Sequence, residues 1–223
     1  MTYKILEGNA LHILQTLEPE LVDTVFTSPE PPYDYKQMEE LIEIALQLPR
    51  VVKPTGSIWV QLGDYHNTEG DMTLIPERFV TEMVIEHGWH LRSKLIWHRP
   101  SDDSLEDTTR FKRDWEYLFW FVKNNPGYYF NQQQSYPMQK ILNSSIIKCP
   151  YDEPAPEEFG SGFPQVLIQI AIGVSCPKQG MVLDPFAGTG TTGMTALQSS
   201  RSFIGIEANP MLIPKINKRL SCA

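Results

Sequence analysis

Ten residues towards the carboxyl end, Asp184-Pro-Phe-Ala-Gly-Thr-Gly-Thr-Thr-Gly193, constrain the fold of this chain most strongly. The apolar residues 181–183 before them predict a strand that ends in a glycine-rich turn. Apolar side chains at helical spacing predict a helix over residues 191–198. Gly188 and Gly190 let a ligand approach the backbone, and the first N–H groups of a helix attract anionic groups. The stretch therefore predicts a ligand site at the turn.

A second strand, over residues 201–206, follows this helix and ends in Glu207. A carboxylate at that place can accept hydrogen bonds from both hydroxyls of a ribose. Gly188, Gly190 and Gly193 also fit the G-x-G-x-x-G spacing of dinucleotide-binding folds. A nicotinamide-dependent oxidoreductase is therefore one open hypothesis.

Predicted strands alternate with predicted helices along most of the chain. The strands are expected at residues 3–6, 22–27, 56–62, 91–97, 115–123, 181–183 and 201–206, and the helices at 10–17, 35–52, 75–86, 164–175, 191–198 and 211–220. This alternation predicts an α/β fold with a mainly parallel sheet covered on both faces. The strands at 91–97 and 115–123 have no obvious helix between them and are expected to pair antiparallel at one edge. Residues 124–164 are expected to be irregular.

The strand at residues 22–27 runs directly into a proline-rich loop, Ser28-Pro-Glu-Pro-Pro-Tyr33. Prolines at such density continue neither a helix nor a central strand, so the loop is expected to be stiff. It follows the carboxyl end of a strand, which is the edge where open α/β sheets bind ligands.

Length and composition narrow the class of protein. A chain of 223 residues is expected to form a single domain over residues 1–223. The net charge of −8 means that any contact with nucleic acid depends on a local basic surface. Cys149, Cys176 and Cys222 lack CxxC spacing, so no metal site and no disulfide is expected. The lack of a signal-peptide pattern and of a long apolar run predicts a cytoplasmic protein without membrane contact.

The run Asp184-Pro-Phe-Ala-Gly-Thr-Gly-Thr-Thr resembles the S-adenosylmethionine (SAM) motif of DNA amino-methyltransferases. Ile204-Gly-Ile-Glu-Ala-Asn-Pro210 resembles the strand that follows it, and Leu6-Glu-Gly-Asn-Ala resembles a segment that contacts the cofactor adenine. The proline loop comes first and the SAM motif last, which resembles the β-class, a circularly arranged form of the SAM-dependent Rossmann-like fold. The resemblance implies SAM as cofactor, bound by Asn9, Phe163, Asp184, Phe186, Gly188, Gly190, Thr191, Thr192, Glu207 and Asn209. Asp184 is expected at the methionine amino group, and Thr191 or Thr192 is expected to cap the helix or bond the cofactor carboxylate.

The proline loop resembles the family's Ser-Pro-Pro-Tyr loop, which implies transfer of a methyl group to cytosine N4 in DNA. Adenine N6 is the alternative target, and a degenerate member that binds DNA or a partner without catalysis is a further one. The implied catalytic residues are Ser28, Pro29, Glu30, Pro31, Pro32 and Tyr33. Acceptors in this loop would surround the N–H groups of the base amine, and Tyr33 would stack on a base flipped out of the duplex.

The loop has two more residues than the family pattern, so two registers are possible. In the first, Ser28 keeps its place at the strand end and Glu30-Pro31 is an insertion. In the second, Glu30 takes the place of the family's Ser, Asp or Asn, and the unbroken Pro-Pro-Tyr favours this register. Glutamate is one methylene longer than aspartate, so its backbone must lie further from the amine. The two extra residues of the loop would provide that distance. The sequence therefore favours Glu30 slightly as the acceptor of the amine.

Basic residues between the two late strands form the candidate DNA surface. The set comprises Lys94, Arg99, Arg110, Lys112 and Arg113, with several acidic residues interspersed. Only residues 101–113 and 131–163 leave room for target recognition, so a short or relaxed recognition sequence is expected. A homodimer and the biological role, host restriction or phage self-protection, stay open.

We predict that DNA affinity is modest and steeply salt-dependent, because an acidic chain offers only a local basic surface. Replacing Arg110, Lys112 and Arg113 together should flatten the slope of log affinity against log salt concentration. Titration of a labelled duplex at several salt concentrations measures this slope. An unaltered slope would place the DNA surface elsewhere.

Overall fold

A computed structural model describes residues 1–30, 32, 34–98, 111, 114–131, 144–149 and 164–223. Within these residues, eight strands form one sheet in the order β1-β8-β7-β2-β3-β5-β4-β6. The strands are β1 Tyr3–Glu7, β2 Val22–Thr27, β3 Val52–Leu62, β4 His90–His98, β5 Trp115–Val122, β6 Ile146–Lys148, β7 Met181–Asp184 and β8 Ser202–Glu207. Neighbouring strands are parallel except where β5 pairs with β3 and with β4.

Helices cover both faces of the sheet in the described part of the chain. They are α1 Ala10–Thr16, α2 Tyr35–Ala45, α3 Leu48–Val51, α4 Ile75–Ile85, α5 Gln165–Ser175, α6 Thr191–Gln198 and α7 Ile213–Leu220. Side chains of α1 to α4 pack in one hydrophobic core, and those of α5 to α7 pack in a second core on the other face. Successive strand residues point to opposite faces, so Ile58 lies in the first core and Trp59 in the second.

A buried hydrogen-bond network attaches α5 to the centre of the sheet. Trp59 Nε1 donates to Ser175 Oγ at 3.0 Å, and Thr24 Oγ1 donates to the Ser175 carbonyl at 2.8 Å. The Trp59 ring also stacks on Trp120 with 4.9 Å between ring centroids. These contacts fix the helix that precedes β7 against β2 and β3, and so they fix the approach of the chain to the glycine-rich turn.

The strand order reverses between β7 and β2. After β7 the chain passes through α6 to β8 on one side, and after β2 it passes through α2 and α3 to β3 on the other. Because α6 and α2 cover opposite faces, the carboxyl ends of β7 and β2 border an open crevice. Such reversal points are where open α/β sheets bind ligands.

The predicted α/β fold with its antiparallel strand pair is confirmed. The short strand β6 lies outside β4 and forms the sheet edge in the described residues, whereas residues 124–164 were expected to be irregular throughout. The single helix expected over residues 35–52 is wrong, because α2 ends at Ala45. Pro49 lacks an N–H group, and its ring would clash with the carbonyl of residue 45 if the helix continued. The chain then enters β3 at Val52, four residues earlier than expected.

Within the described residues, no helix has both the length and the apolar content needed to cross a lipid bilayer. The same residues include no cluster of three or more His, Cys, Asp or Glu side chains arranged to hold a metal ion. Cys149, Cys176 and Cys222 are free thiols.

Candidate active site at the carboxyl edge of the sheet

Four parallel strands end together at the crevice, and their last residues are Glu7, Thr27, Asp184 and Glu207. Two adjoining cavities of about 530 Å³ and about 150 Å³ open there. The larger lies within the range of about 300–1,000 Å³ that small-molecule sites occupy. Ser28, Phe186 and Gly188 line both cavities, so the two form one continuous site.

Residues from several elements line the larger cavity. They include Gly8, Asn9, Pro29, Glu30, Pro32, Gln37, Glu40, Leu41, Ile44, Pro185, Ile206, Glu207, Asn209 and Leu212. The apolar members provide flat contact surface, and the carboxylates of Glu30, Glu40 and Glu207 make the cavity acidic. This lining suits a ligand that joins an apolar ring to cationic and hydroxyl groups.

Asp184 joins the two strands that border the crevice. Its Oδ1 accepts hydrogen bonds from Thr27 Oγ1 at 2.9 Å and from the Phe186 N–H at 3.0 Å, and its Oδ2 accepts one from Thr192 Oγ1 at 2.7 Å. Burial raises the pKa of this carboxyl to about 6, although the three hydrogen bonds favour the ionised form. The negative charge of Glu207 raises the pKa further. Asp184 thus lies next to the smaller cavity as a desolvated anion that a cationic ligand group would stabilise.

Glu207 holds the glycine-rich turn from the end of β8. Its Oε2 accepts from the Gly188 N–H at 2.8 Å, and its Oε1 accepts from the Asn209 N–H at 2.8 Å. A carboxylate offers about four lone-pair sites. The two hydrogen bonds therefore orient the group and leave acceptor capacity for the cavity that it lines.

The glycines of the turn have different functions. Gly188 has φ +53°, and a Cβ on it would find no neighbour closer than the Phe186 carbonyl at 3.9 Å. Its place in the cavity wall therefore allows close approach of a ligand, as expected. Gly190 has φ +83°, and a Cβ there would lie 3.0 Å from Ile216 Cγ2 on α7. A side chain at residue 190 would therefore press against α7, and the expected approach of a ligand to Gly190 stays a prediction.

The first turn of α6 faces the smaller cavity through Thr191 and Thr192. Neither hydroxyl caps the helix, contrary to one expectation, because the N-cap residue is Gly190. Thr192 Oγ1 donates to Asp184, and Thr191 Oγ1 accepts from Arg219 Nη1 at 3.0 Å. Both side chains are therefore held in place, while the N-terminal N–H groups of a helix favour an anionic group at this end.

Two asparagines lie at the rim of the larger cavity. Asn9 is the N-cap of α1, and its Oδ1 accepts from the His12 N–H at 3.3 Å. Asn209 Oδ1 accepts from the Met211 N–H at 3.0 Å. Each side chain thus orders the loop after a strand while its residue lines the cavity.

The proline loop leaves β2 with Ser28 at the boundary between the cavities. Ser28 Oγ donates a hydrogen bond to Gln61 Oε1 in β3, and Pro29 is buried. Glu30 is exposed and lines the larger cavity, as does the buried Pro32. Three of the predicted catalytic and cofactor-binding residues lie outside the described residues: Pro31, Tyr33 and Phe163.

Lys94 is the member of the candidate DNA surface that the structure describes. It is exposed on β4, and its Nζ lies 4.9 Å from the centroid of the Tyr117 ring. The other four members, Arg99, Arg110, Lys112 and Arg113, lie outside the described residues. Both ends of their segment are fixed, because His98 pairs with Trp115 and His98 Nε2 lies 3.1 Å from Asp114 Oδ2. Since β4 runs parallel to β3, His98 and Asp114 lie at the same edge of the sheet as Ser28.

Sequence reasoning missed the residues that support the site from other elements. Thr27 donates to Asp184, Arg219 donates to Thr191, and Gln61 connects Ser28 with Glu116. A polar residue inside the apolar strand Gly56-Ser-Ile-Trp-Val-Gln-Leu62 was the one available signal, and it indicated only that Gln61 needs a partner.

Comparisons with known proteins identify similar sequences and structures. The family model described as DNA methylase, of N6/N4 type, matches residues 22–218. Type II methyltransferase M.SmaI of Serratia marcescens is 26% identical over 92% of this chain and 86% of its own. M.Cfr9I of Citrobacter freundii is 28% identical over 97% of this chain and 87% of its own.

Solved structures share the fold. The PvuII DNA methyltransferase, named as cytosine-N4-specific, has a TM-score of 0.88 at 20% identity and covers 98% of this chain and 86% of its own. M1.HpyAVI in its SAM complex has a TM-score of 0.73 at 22% identity and covers 98% of this chain and 99% of its own. The predicted methyltransferase fold is confirmed by these likenesses.

We predict that replacing Asp184 with asparagine changes how stability depends on pH. Between about pH 4 and pH 6 the folded wild type holds a proton that the unfolded chain has released, so its free energy of unfolding falls as pH rises. The amide of the variant does not titrate, so the wild type should lose roughly 1–3 kcal/mol relative to the variant across this range. Urea unfolding at several pH values measures the difference.

Thr27→Val is the matched control for this experiment. It removes one hydrogen bond that favours the ionised form of Asp184 but keeps the carboxyl group. Its stability should therefore fall with pH at least as steeply as that of the wild type. Parallel curves for wild type and Asp184→Asn would contradict the raised pKa.

Proposed function

This chain belongs to the N6/N4-type DNA methylase family, and we propose that it transfers a methyl group from SAM to the N4 amine of cytosine in DNA. The observation that carries the proposal is the continuity of the site. Ser28 of the proline loop lies at the junction of two cavities whose walls include Asp184, Gly188 and Glu207. A cofactor in the cavities and a base amine at Ser28 would therefore be neighbours. Family membership leaves no support for the nicotinamide-dependent alternative.

Each of the two cavities would hold one end of the cofactor. In the larger cavity Glu207 would accept from the ribose hydroxyls, and Asn9 would bond an edge of the adenine. In the smaller cavity the N-terminus of α6 would meet the methionine carboxylate, and the desolvated Asp184 would meet the amino group. SAM carries a positive sulfonium, and the acidic lining of the site attracts a cation. The residues that are present therefore fit this cofactor.

When bound, SAM supplies an electrophilic methyl group at this junction. The lone pair of a base amine is delocalised into the ring, so the amine is a poor nucleophile. Acceptors that bind its N–H groups favour a tetrahedral nitrogen and direct the lone pair towards the methyl group. Ser28 Oγ supplies one such acceptor, and the stiff prolines of the loop hold it in advance. The amine then loses one proton, which can leave to water through the open cavity.

Support for cytosine comes from the start of the loop. The strand runs into Ser28-Pro29 without a break, and Ser28 is held at the sheet edge by Gln61. This arrangement favours the register in which Ser28 keeps its place over the register with Glu30 as acceptor. A loop beginning with Ser-Pro resembles the cytosine form of the family, and the PvuII enzyme is named as cytosine-N4-specific. Methylation of adenine N6 is the alternative outcome.

We predict that the purified protein transfers labelled methyl from SAM to unmethylated DNA of mixed sequence. Digestion to nucleosides and mass analysis should identify N4-methylcytosine as the product. Glu207→Ala is the matched loss-of-binding variant and should weaken SAM binding by roughly 1–3 kcal/mol, because it removes the acceptor for the ribose. N6-methyladenine would reassign the base, and a protein that binds SAM and DNA without transfer would be the degenerate member.

We predict that Ser28→Ala lowers the rate of methyl transfer more than Glu30→Ala does. Ser28 lies at the junction of the cavities, whereas Glu30 is exposed at the wall of one. Loss of an oriented acceptor in the transition state should cost on the order of a hundredfold in kcat. Single-turnover assays with saturating SAM compare the two variants. The opposite ranking would establish the register with Glu30 as acceptor.

A further inference from the structure

Two polar residues behind the proline loop, Gln61 and Glu116, support Ser28 but have so far been given no role in the reaction. Gln61 lies in β3, is 4% exposed, and accepts a hydrogen bond at Oε1 from Ser28 Oγ. Its Nε2 donates to Oε2 of Glu116, at the start of β5. A buried amide between the apolar residues Val60 and Leu62 is costly unless both of its ends are bonded. The two contacts satisfy that requirement and connect Ser28 to a carboxylate on another strand.

The Glu116 carboxylate determines which group donates and which accepts in the hydrogen bonds that run from Glu116 through Gln61 to Ser28. An ionised carboxylate only accepts, so the Gln61 NH₂ group must face Glu116. The Gln61 carbonyl oxygen must then face Ser28, and a carbonyl oxygen also only accepts. The single hydroxyl proton of Ser28 is therefore directed at Gln61. The lone pairs of Ser28 Oγ remain for the cavities that this residue lines.

Gly63 provides the space that Glu116 occupies. Gln61 pairs with Leu118 and Leu62 with Tyr117 in the antiparallel register, which places Gly63 opposite Glu116. A Cβ on Gly63 would lie 3.1 Å from Glu116 Cδ and 3.2 Å from Glu116 Oε1. Contacts this short would force the carboxylate to move by a few tenths of an ångström. The position of the carboxylate beside Gln61 thus depends on a glycine in the neighbouring strand.

We propose that Gln61 and Glu116 are positioning residues that hold the Ser28 hydroxyl as a hydrogen-bond acceptor towards the base amine. This inference rests on the proposed function, in which the amine donates its N–H groups at Ser28. A freely rotating serine would spend part of its time with its proton towards the cavity, where it opposes an N–H donor. Glutamine cannot take up a proton from Ser28, so its contribution is orientation and not proton transfer.

Glu116→Gln is the main test, because it keeps the size of the side chain and removes only its fixed acceptor character. An amide at residue 116 can donate or accept, so Gln61 loses its preferred orientation and Ser28 with it. We expect kcat for methyl transfer to fall about tenfold to a hundredfold, with the KM for SAM and the thermal midpoint unchanged. Glu77→Gln is the matched control: Glu77 accepts from the Tyr117 hydroxyl at 2.7 Å, and its replacement should keep kcat within about twofold of the wild type.

Gly63→Ala is a second variant, and it removes no polar group. Its Cβ would shift the Glu116 carboxylate beside Gln61 by a few tenths of an ångström, so kcat should fall in the same direction as for Glu116→Gln while SAM affinity is kept. A kcat near the wild-type value in both variants, with both proteins folded, would overturn the proposal. An equal loss of SAM affinity and of kcat would also overturn it, because it would indicate a general structural role.

Nuclear magnetic resonance separates this inference from the proposed function. The side-chain amide resonances of Gln61 in isotope-labelled protein are identified by their disappearance in Gln61→Leu. The fixed orientation requires that they exchange slowly with solvent in the wild type and faster in Glu116→Gln. If the wild type methylates no DNA, the proposed function fails, and this exchange measurement alone decides the orientation. Rapid exchange of the Gln61 side-chain amide in the wild type would overturn the inference that Gln61 is held in one orientation.

Discussion

The site depends on one buried carboxylate, Asp184, at the point where the strand order reverses. Its three hydrogen bonds tie the end of β7 to Thr27 at the end of β2 and to Thr192 in the first turn of α6. Burial of a charge is unfavourable unless such partners compensate it. The raised pKa of Asp184 shows that the compensation is incomplete in the free protein. A cationic ligand group beside it would supply the remainder, so the interaction that joins the strands also prepares the site for its ligand.

Residues at or near the ends of the strands orient the two loops that form the site. Glu207 orients the turn through the Gly188 N–H, and Gln61 orients the proline loop through Ser28. Gly188 and Ser28 are thus each held by a residue on a neighbouring strand, Glu207 in β8 and Gln61 in β3. This arrangement suits a transfer reaction, because a misplacement of the donor or the acceptor by about 1 Å lowers the rate strongly.

The sequence was sufficient for the fold and for the crevice at the carboxyl ends of the strands. Strand–helix alternation and the glycine-rich turn depend on local patterns, and the carboxyl ends of parallel strands meet by geometry. The helix over residues 35–52 was overextended because the apolar period continues past Pro49. The expected approach of a ligand to Gly190 stays a prediction, and the Cβ position of this residue faces Ile216. The links from Gln61 to Glu116 and from Arg219 to Thr191 join residues distant in sequence, and no local pattern encodes them.

The acidic charge of the chain and its action on DNA are reconciled by the directions of the strands. The net charge of −8 opposes general attraction to a polyanion, and the carboxylates around the cavities favour a cationic cofactor. Strands β3 and β4 are parallel because β5 lies antiparallel between them. His98 and Asp114, which flank in sequence the segment that carries Arg110, Lys112 and Arg113, therefore lie at the same edge as Ser28. A local basic surface at this edge would hold the phosphates where the base must enter, while the rest of the surface repels nonspecific binding.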